Sequence, residues 1–440
     1  QPSNQVVSLG VNVAINATAT GSSPLSFRWQ KDGVNLTDNG HVSGANDSTL
    51  TISSVQPGDI GNYRLIVTNV YGATTSAVGN LMVQPLMVWG ASNTVPEAFT
   101  NAVAVAAGAY HEQYVYLGLK SDSTVAGWGA TVPAGLRNVV AVSAGYRHGL
   151  ALGSDGSVTG FGDNSFGEAT PPGGLSNVVD VAAGGDCSVA LKGDGTVVGW
   201  GYTLPPAGLS NLLTVSAGTF HSLAIKDDGT VTGWGYNGYG EAVPPAGLSN
   251  VVAVSAGAFH SLALKSDGTV VAWGVNYSGE SMAAPDGLSN VVAVAGGWSH
   301  ALALRSDGTV VAWVRHDSGQ TTTPAGLTNV VAIAAGNLHS LALVPSSAAQ
   351  LPPVIRWMGS TNRTVPFAQA VLFLPAITGS LPMHFQWLHN NVPLPAETNR
   401  WLLFPSTQPA QSGAYSLVIT NAAGSVTSSV ITLAVKPPAP

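Results

Sequence analysis

Cysteine, charged side chains and long apolar runs are all scarce in this chain. Cys187 is the single cysteine among 440 residues, so no intramolecular disulfide can hold any part of the fold together. Charged residues make up 8%, and 15 Lys and Arg against 22 Asp and Glu give a formal net charge of −7. No basic run could neutralise a row of phosphates, which excludes nucleic acid as a partner. No apolar run reaches the ~18 residues of a spanning helix, so no membrane insertion is expected.

Glycine and proline, by contrast, are abundant, with 53 and 27 residues. This composition is typical of a turn-rich β protein. The length suits about two to four packed domains, each burying its own core. Gln1 begins directly on strand-like sequence, as expected of a secreted chain whose signal peptide has been removed. We therefore expect a secreted protein, outside the cell or on its surface.

The middle of the chain is an internal repeat. Residues 250–274, with the sequence NVVAVSAGAFHSLALKSDGTVVAWG, recur with variants. Each copy alternates apolar and polar residues between turn signals, which predicts a small antiparallel meander of three strands. The copies begin at Asn101, Asn138, Asn177, Asn211, Asn250, Asn290 and Asn329.

The seventh copy stops at Val344, before its turn and its Trp-Gly strand. Residues 86–90, with the sequence LMVWG, have that strand pattern without a preceding repeat. Pairing of 86–90 with the seventh copy would close a ring and protect the sheet edges, as in a propeller.

These copies resemble regulator of chromosome condensation repeats, which form seven-bladed β-propellers. The GQTTTP stretch at 319–324, and its variants GEAVP at 240–244 and GEATP at 167–171, are similar to the bacterial branch. That branch includes a secreted β-lactamase inhibitory protein.

Both ends of the chain have a different pattern. Trp29 precedes an Asp-x-Gly-x-Tyr motif ending at Tyr63, and Trp387 precedes a similar motif ending at Tyr415, in which Gln411 replaces the acidic residue. The pattern resembles the central Trp and tyrosine corner of immunoglobulin domains. Cysteine-free copies are similar to bacterial cell-surface modules.

The chain is therefore predicted to be all-β, a seven-bladed β-propeller with an immunoglobulin-like β-sandwich at each end. The predicted divisions are an immunoglobulin-like domain at 1–84, a propeller at 85–345 closed by strand 86–90, a linker at 346–353, and an immunoglobulin-like domain with a Pro-rich tail at 354–440.

Repeated polar residues invite a metal or catalytic interpretation, but their phase favours a structural one. The histidines alternate in phase with buried leucines, so each faces a neighbouring blade, and one histidine per blade cannot converge on a metal. The turn aspartates suit tight turns, since each turn offers too few oxygens for calcium. The histidines are His111, His148, His221, His260, His300 and His339, and the aspartates are Asp122, Asp155, Asp194, Asp228, Asp267 and Asp307. No interruption of the repeat supplies a nucleophile, base and orienting group. We predict no catalytic residue, no metal and no cofactor, hence no enzyme.

Aromatic residues give the stronger functional signal. They follow the Ala-Gly turns and the Trp-Gly strands, where they vary between blades, and rigid aromatics supply the contact area of interface hot spots. The candidate interaction surface is Tyr110, Tyr146, Arg147, Phe166, Phe220, Tyr236, Tyr239, Phe259, Tyr277 and Trp298. The alternative is that some of these residues only cap the ends of blades.

Two functions fit these features. The first is a non-enzymatic extracellular binding or structural protein of a bacterial surface, in which the propeller is a rigid platform and the end domains mediate attachment or assembly into a fibre, sheath or surface layer. Its partners would be proteins, above all copies of itself. The second is a secreted inhibitor or glycan-binding propeller that acts as a monomer. Nucleotide exchange on a small GTPase, as in the eukaryotic branch, is disfavoured because the basic tail is absent.

Overall fold

The computed structural model describes residues 1–437 except 8–9, 84–85, 92–98, 100–101, 111–112, 277, 281, 315–316, 325–326, 345–351, 360–361 and 380–381. The chain divides into two compact units, one of residues 1–87 and 324–327 and the other of residues 88–323 and 328–440. Within the described residues the structure is all-β, with 3₁₀ turns at Pro57–Asp59 and Pro409–Gln411, which confirms the predicted class. Residues 346–351 of the predicted linker at 346–353 lie outside the described residues, as do Tyr277 and His111.

The first unit is a two-sheet sandwich, here called the N-terminal sandwich. One sheet has the order Gln5–Val7, Gly79–Val83, Gly61–Asn69, Ser26–Lys31 and Val34–Asn35, with Gly72–Thr75 also beside Gly61–Asn69. The other sheet has the order Val13–Asn16, Thr49–Ile52 and Val42–Ser43.

The predicted tyrosine corner is present in this sandwich. Trp29 is fully buried at its centre, and the Tyr63 hydroxyl donates to the Asp59 carbonyl at 2.7 Å. The Asp59 carboxylate accepts from the Gln56 amide at 2.7 Å and closes the preceding turn. These contacts are the ones that the immunoglobulin pattern predicts.

The described residues of the middle of the chain contain seven three-stranded sheets, here called blades 1 to 7. Blade 7 takes its third strand from the start of the sequence, Leu86–Gly90, of which residues 88–90 belong to the second unit. The strands are Ala102–Tyr110, Gln113–Lys120 and Val125–Trp128 in blade 1; Val139–Ala144, His148–Gly153 and Val158–Gly162 in blade 2; Val178–Ala183, Cys187–Lys192 and Val197–Gly201 in blade 3; Leu212–Ala217, His221–Lys226 and Val231–Gly235 in blade 4; Val251–Ala256, His260–Lys265 and Val270–Gly274 in blade 5; Val291–Gly296, His300–Arg305 and Val310–Val314 in blade 6; and Ala332–Ala335, His339–Leu343 and Leu86–Gly90 in blade 7.

All seven blades surround one central depression. Small residues at the end of each first strand line it, from Ala107 and Gly108 in blade 1 to Ala335 and Gly336 in blade 7. A Cβ atom on Gly218 would lie 2.1 Å from the Gly257 carbonyl oxygen, so only glycine allows adjacent blades to approach this closely. Backbone hydrogen bonds join the blades here, for example from the Thr219 amide to the Gly257 carbonyl at 3.1 Å.

The order of strands gives the propeller two different ends. In blade 5 the first strand runs to the Ala-Gly turn, the second returns to the Asp-Gly turn at Asp267, and the third runs back to the loop after Trp273. One end of the propeller therefore carries the Ala-Gly turns together with the loops that follow the third strands. This end is here called the aromatic face. Asp-Gly turns occupy the opposite end, here called the Asp-Gly face.

The Asp-Gly turns have the local chemistry expected of the repeated aspartates. The Asp267 carboxylate accepts from both the amide and the hydroxyl of Thr269, and Gly268 has a φ of +78°. The asparagine that opens each repeat from the second to the seventh also has a positive φ, 58° at Asn250. The Asn250 carbonyl accepts from the Ser266 amide at 2.9 Å. This residue ties the turn to the start of the first strand, a role that the sequence pattern does not reveal.

Residues 354–435 form a second sandwich, here called the C-terminal sandwich. The larger sheet has the order Asn362–Val365, Ile431–Val435, Gly413–Asn421, His384–His389 and Val392–Pro393, with Gly424–Thr427 also beside Gly413–Asn421. Smaller sheets pair Val354–Trp357 with Ala376–Thr378 and Val371–Phe373 with Leu402–Phe404.

This sandwich also has a tyrosine corner, in which Tyr415 donates to the Gln411 carbonyl at 2.7 Å. Gln411 replaces aspartate without loss because its side-chain oxygen accepts from the Gln408 amide at 2.7 Å, as Asp59 accepts from Gln56. The corner itself uses a backbone carbonyl, which any residue supplies.

The C-terminal sandwich packs against the Asp-Gly face of the propeller, within the second unit. Leu372 and Leu374 join Leu213 and Val252 in one buried apolar cluster. The Leu372 amide donates to the Asp227 carbonyl at 2.9 Å. The sandwich therefore covers part of the Asp-Gly face and leaves the aromatic face open.

Arginines of the sandwich bind backbone and carboxylate oxygens of the propeller. Arg363 donates to the Asp227 carboxylate at 2.9 Å and to its carbonyl at 3.1 Å. Arg356 donates to the Ser154 carbonyl at 2.6 Å. These contacts hold the sandwich to blades 2 and 4.

Candidate functional site

Six of the candidate aromatic residues form one contiguous group on the aromatic face, here called the aromatic cluster. Its members are Tyr146, Phe220, Tyr236, Tyr239, Phe259 and Trp298. Trp298 of blade 6 stacks on Tyr146 of blade 2, with 5.7 Å between ring centroids, and lies edge-on to Phe259 at 5.9 Å. The cluster therefore spans the central depression and joins blades that are distant in sequence.

Ring contacts extend the cluster toward solvent. Phe220 lies 5.2 Å from Phe259, and Tyr239 meets Phe259 edge-on at 5.6 Å. Tyr146 is buried, whereas Tyr236 and Tyr239 are about half exposed, at 49% and 53%. The aromatic cluster thus has a buried base and an exposed rim.

The loop that carries the exposed tyrosines is held by hydrogen bonds. Buried Glu241 accepts from the Tyr239 amide at 2.8 Å, and Asn237 accepts from the Ala242 amide at 3.0 Å. Glu168 accepts from the Phe166 amide in the same way, at 2.8 Å. These two glutamates pre-organise the loops of the aromatic face.

Phe166 belongs to a second aromatic contact, with Tyr202, at 5.8 Å between ring centroids. Tyr202 is 75% exposed and was not among the predicted residues. A signal for it was present, because Tyr202 follows Trp200 by two residues, as Tyr236 follows Trp234.

A polar segment borders the aromatic cluster at blades 2 and 3. Arg147 lies 3.7 Å from the Asp163 carboxylate, and a hydrogen bond from Ser165 lowers the pKa of Asp163. Asp186 occupies the position before Cys187 that holds Phe220 and Phe259 in the next two blades. Burial raises the pKa of Asp186, and the nearby carboxylates of Glu168 and Asp163 raise it further.

Two predicted surface residues cannot be placed. Tyr110 ends the first strand of blade 1 and pairs with Gln113, but its side chain lies outside the described part of the chain. Tyr277 also lies outside the described residues.

The histidines form contacts between blades, as their phase predicts. His148, His221 and His300 each place Nε2 within 2.9 Å of a serine hydroxyl of the next blade, the first of them Ser188. Ser188 in turn donates to the Glu168 carbonyl at 2.8 Å. Burial lowers the pKa of each of these three histidines to about 4, so they are neutral at pH 7.

Blade 1 departs from the predicted alignment. Tyr116 pairs with Trp128 as Ser261 pairs with Trp273, so the position of the repeated histidine falls on Val115 and not on His111. The cause is a longer first hairpin, in which Tyr110 pairs directly with Gln113.

The environment of the single thiol disfavours its ionisation, and the described titratable groups form no set of metal ligands. Cys187 is buried, and burial followed by the charges of Asp186 and Glu168 raises its pKa to about 12, which disfavours the reactive thiolate. Among the described residues no three His, Cys, Asp or Glu side chains are grouped as metal ligands. None of the helices in the described part of the chain is long and apolar enough to cross a membrane.

Comparison with family models agrees with this architecture. The immunoglobulin I-set domain matches residues 1–81. The regulator of chromosome condensation repeat matches residues 139–168, 214–241, 251–280 and 291–320. The chain thus has a region of such repeats flanked by immunoglobulin-like domains. Both kinds of domain are typically non-catalytic binding modules, which indicates an interaction role.

Similar proteins match over short segments. Peroxidasin homolog of Homo sapiens is 32% identical over 74 residues, which is 17% of this chain and 5% of that protein. Peroxidasin homolog of Mus musculus is 32% identical over 71 residues, 16% of this chain and 5% of that one. The chain therefore spans about a twentieth of these relatives' length.

Solved structures also match over the length of one domain. The titin M3 domain is 28% identical, covering 19% of this chain and 88% of that one, with a TM-score of 0.17. Tandem Ig repeats of Dlar are 26% identical, covering 19% and 44%, with a TM-score of 0.18. TM-scores this low support no inference about function.

Proposed function

We propose that this chain is a non-enzymatic, extracellular binding protein of a bacterial surface, whose aromatic face associates with proteins, above all with copies of itself. The observation that carries this proposal is the aromatic cluster, six side chains in continuous contact across blades 2, 4, 5 and 6. Aromatic side chains offer large contact areas at low entropic cost, and they dominate interface energetics.

The rigidity of the scaffold supports this proposal. Phe220 and Phe259 lie on turns whose carbonyls accept from the Tyr236 and Val275 amides, each at 2.9 Å. Pre-organised contact residues lose little conformational freedom on binding, which favours affinity. A protein partner suits this surface because its rim residues, Tyr236 and Tyr239, stand about half exposed rather than enclosing a deep pocket.

Assembly is supported by composition and by the position of the C-terminal sandwich. Only 8% of residues are charged, and interface cores are depleted in charged side chains. The C-terminal sandwich is held on the Asp-Gly face by Leu372 and Arg363, so it does not compete for the aromatic face.

Light scattering on the purified chain over a range of concentrations tests the proposal. We expect oligomers or filaments whose association is weakened about thirtyfold or more by Tyr236→Ala with Tyr239→Ala, since a combined loss of about 2 kcal/mol corresponds to about thirtyfold. The matched control is Tyr71→Ala, because Tyr71 is 84% exposed on the N-terminal sandwich. A strictly monomeric chain would contradict self-assembly and favour the inhibitor or glycan-binding alternative.

A further inference from the structure

Blade 3 interrupts the aromatic face with a carboxylate. The position before the repeated histidine holds Phe220 in blade 4 and Phe259 in blade 5, whereas in blade 3 it holds Asp186. The backbone geometry is the same, because the Asp186 carbonyl accepts from the Tyr202 amide at 2.8 Å, as the Phe220 carbonyl accepts from Tyr236. Blade 3 therefore has a negative charge where blades 4 and 5 have a ring, and where blade 2 has Arg147.

Aromatic residues lie near the backbone of Asp186. Tyr146 lies against the preceding residue, since a Cβ atom on Gly185 would be 3.2 Å from its Cε2. On the other side the Tyr202 backbone is bonded to Asp186, and the Tyr202 ring contacts Phe166. A cation at this point would meet both a carboxylate and aromatic rings, which each attract positive charge.

The charge of Asp186 is only partly balanced among the described residues. Arg147 is close enough to lower the pKa of Asp186, but it also lies 3.7 Å from the Asp163 carboxylate. Burial and the carboxylates of Glu168 and Asp163 act in the opposite direction and raise the pKa of Asp186. Three carboxylates therefore share one guanidinium here, and a further cation from outside would lower the cost of their burial.

We propose that Asp186 is the cation-binding point of the aromatic face and receives a Lys or Arg side chain of the bound protein. This inference rests on the proposed function, because it assumes that the aromatic face binds protein. The occupant is thus a polypeptide segment in which a basic side chain adjoins apolar residues that cover the aromatic cluster.

Selection of a phage-displayed library of random peptides on the full chain tests this assignment. We expect enrichment of peptides in which Arg or Lys neighbours apolar residues. Asp186→Asn should weaken the best peptide about tenfold or more, since loss of one partner of a desolvated charge pair is a large effect. Asp286→Asn, in an exposed loop, should leave the affinity unchanged.

Charge reversal gives a second test with a gain of function. Asp186→Lys should reject the selected peptide and accept a version in which Glu replaces its basic residue. Circular dichroism of each variant shows whether the fold is retained. If Asp186→Asn does not fold, Asp186→Ser replaces it in the peptide-binding measurement.

The outcomes separate the two proposals. If Tyr236→Ala with Tyr239→Ala abolishes peptide binding while Asp186→Asn does not alter it, the cation site is wrong and the aromatic face stands. If the aromatic variants leave binding intact, the proposed function fails. If no selected peptide depends on Asp186, the cation site is likewise refuted.

Discussion

Arg363→Met should destabilise the contact between the C-terminal sandwich and the propeller. The substitution keeps the apolar stem but removes the guanidinium, which donates to the Asp227 carboxylate at 2.9 Å and to the Leu372 carbonyl at 2.9 Å. It leaves Asp227 without its cation beside an apolar cluster.

The magnitude follows from burial. Only 9% of the Arg363 side chain is exposed, and breaking one partner of a buried pair costs about 3–5 kcal/mol. The Asp227 side chain is 31% exposed, so water can solvate part of the orphaned charge, and we expect about 2–3 kcal/mol.

The intact ion pair should contribute much less to the free energy of unfolding than the loss caused by removing one partner. Burial lowers the pKa of Arg363 and raises the pKa of Asp227, so for both groups desolvation outweighs their attraction. Arg363→Met combined with Asp227→Leu removes both buried charges. We expect the double variant to recover most of the loss, leaving it within about 1 kcal/mol of the parent chain.

Two measurements decide this prediction. Urea unfolding gives the free energy, and hydrogen exchange at the Leu372 amide, which donates to Asp227 across the contact, reports local opening. Lys265→Ala is the matched control, since its ion pair with Asp267 at 3.2 Å is exposed and should contribute less than about 1 kcal/mol. If Arg363→Met cost no more than this control, and Leu372 stayed protected, the sandwich would not depend on the ion pair.

Three further predictions concern the propeller. His260 has no hydrogen-bond partner among the described residues, because Ala301 occupies the position of the serine in the next blade. Ala301→Ser should therefore raise the free energy of unfolding in urea by about 0.5–1.5 kcal/mol. Ser261→Ala should lower it by about 1–3 kcal/mol, because it leaves His221 without its hydroxyl partner. His148, His221 and His300 have a pKa near 4 in the folded chain and 6.5 in the unfolded chain. The free energy of unfolding should therefore be highest above about pH 6.5 and fall toward pH 4, by up to about 1.4 kcal/mol per pH unit for each histidine. A flat profile from pH 7 to 4.5 would contradict the burial of these histidines. Trp89→Ala should lower the free energy of unfolding in urea by about 3–5 kcal/mol and promote aggregation. Trp89 is buried in the strand that closes the ring, and its indole donates to the Gln320 carbonyl at 2.9 Å. A melting curve like that of the parent chain would refute this prediction.

The fold was predictable because its signals are local and repeated. Most blades have the same alternation, the same Asp-Gly turn and the same Trp, and each sandwich has a Trp and a tyrosine corner. The aromatic cluster was predictable only as a set of residues. Its continuity depends on Tyr146 meeting Trp298 across the ring, and no local pattern encodes a contact between blades 2 and 6.

Docking of the C-terminal sandwich was missed, although a signal was present. Residues 371–374, with the sequence VLFL, are apolar without alternation, which indicates a strand buried on both faces. The corresponding strand of the N-terminal sandwich, Val13–Asn16, alternates buried and exposed residues. Leu372 and Leu374 are therefore the residues that mark the C-terminal sandwich for packing against the propeller.

Site-specific photocrosslinking tests the central claim, that the aromatic face is the surface through which copies associate. A benzophenone amino acid would replace Tyr239 in one variant and Tyr71 in another, both residues being well exposed. Irradiation of the concentrated chain should give covalent dimers or larger species from position 239 and monomer from position 71. Crosslinks from position 71 alone, or from neither position, would contradict the claim.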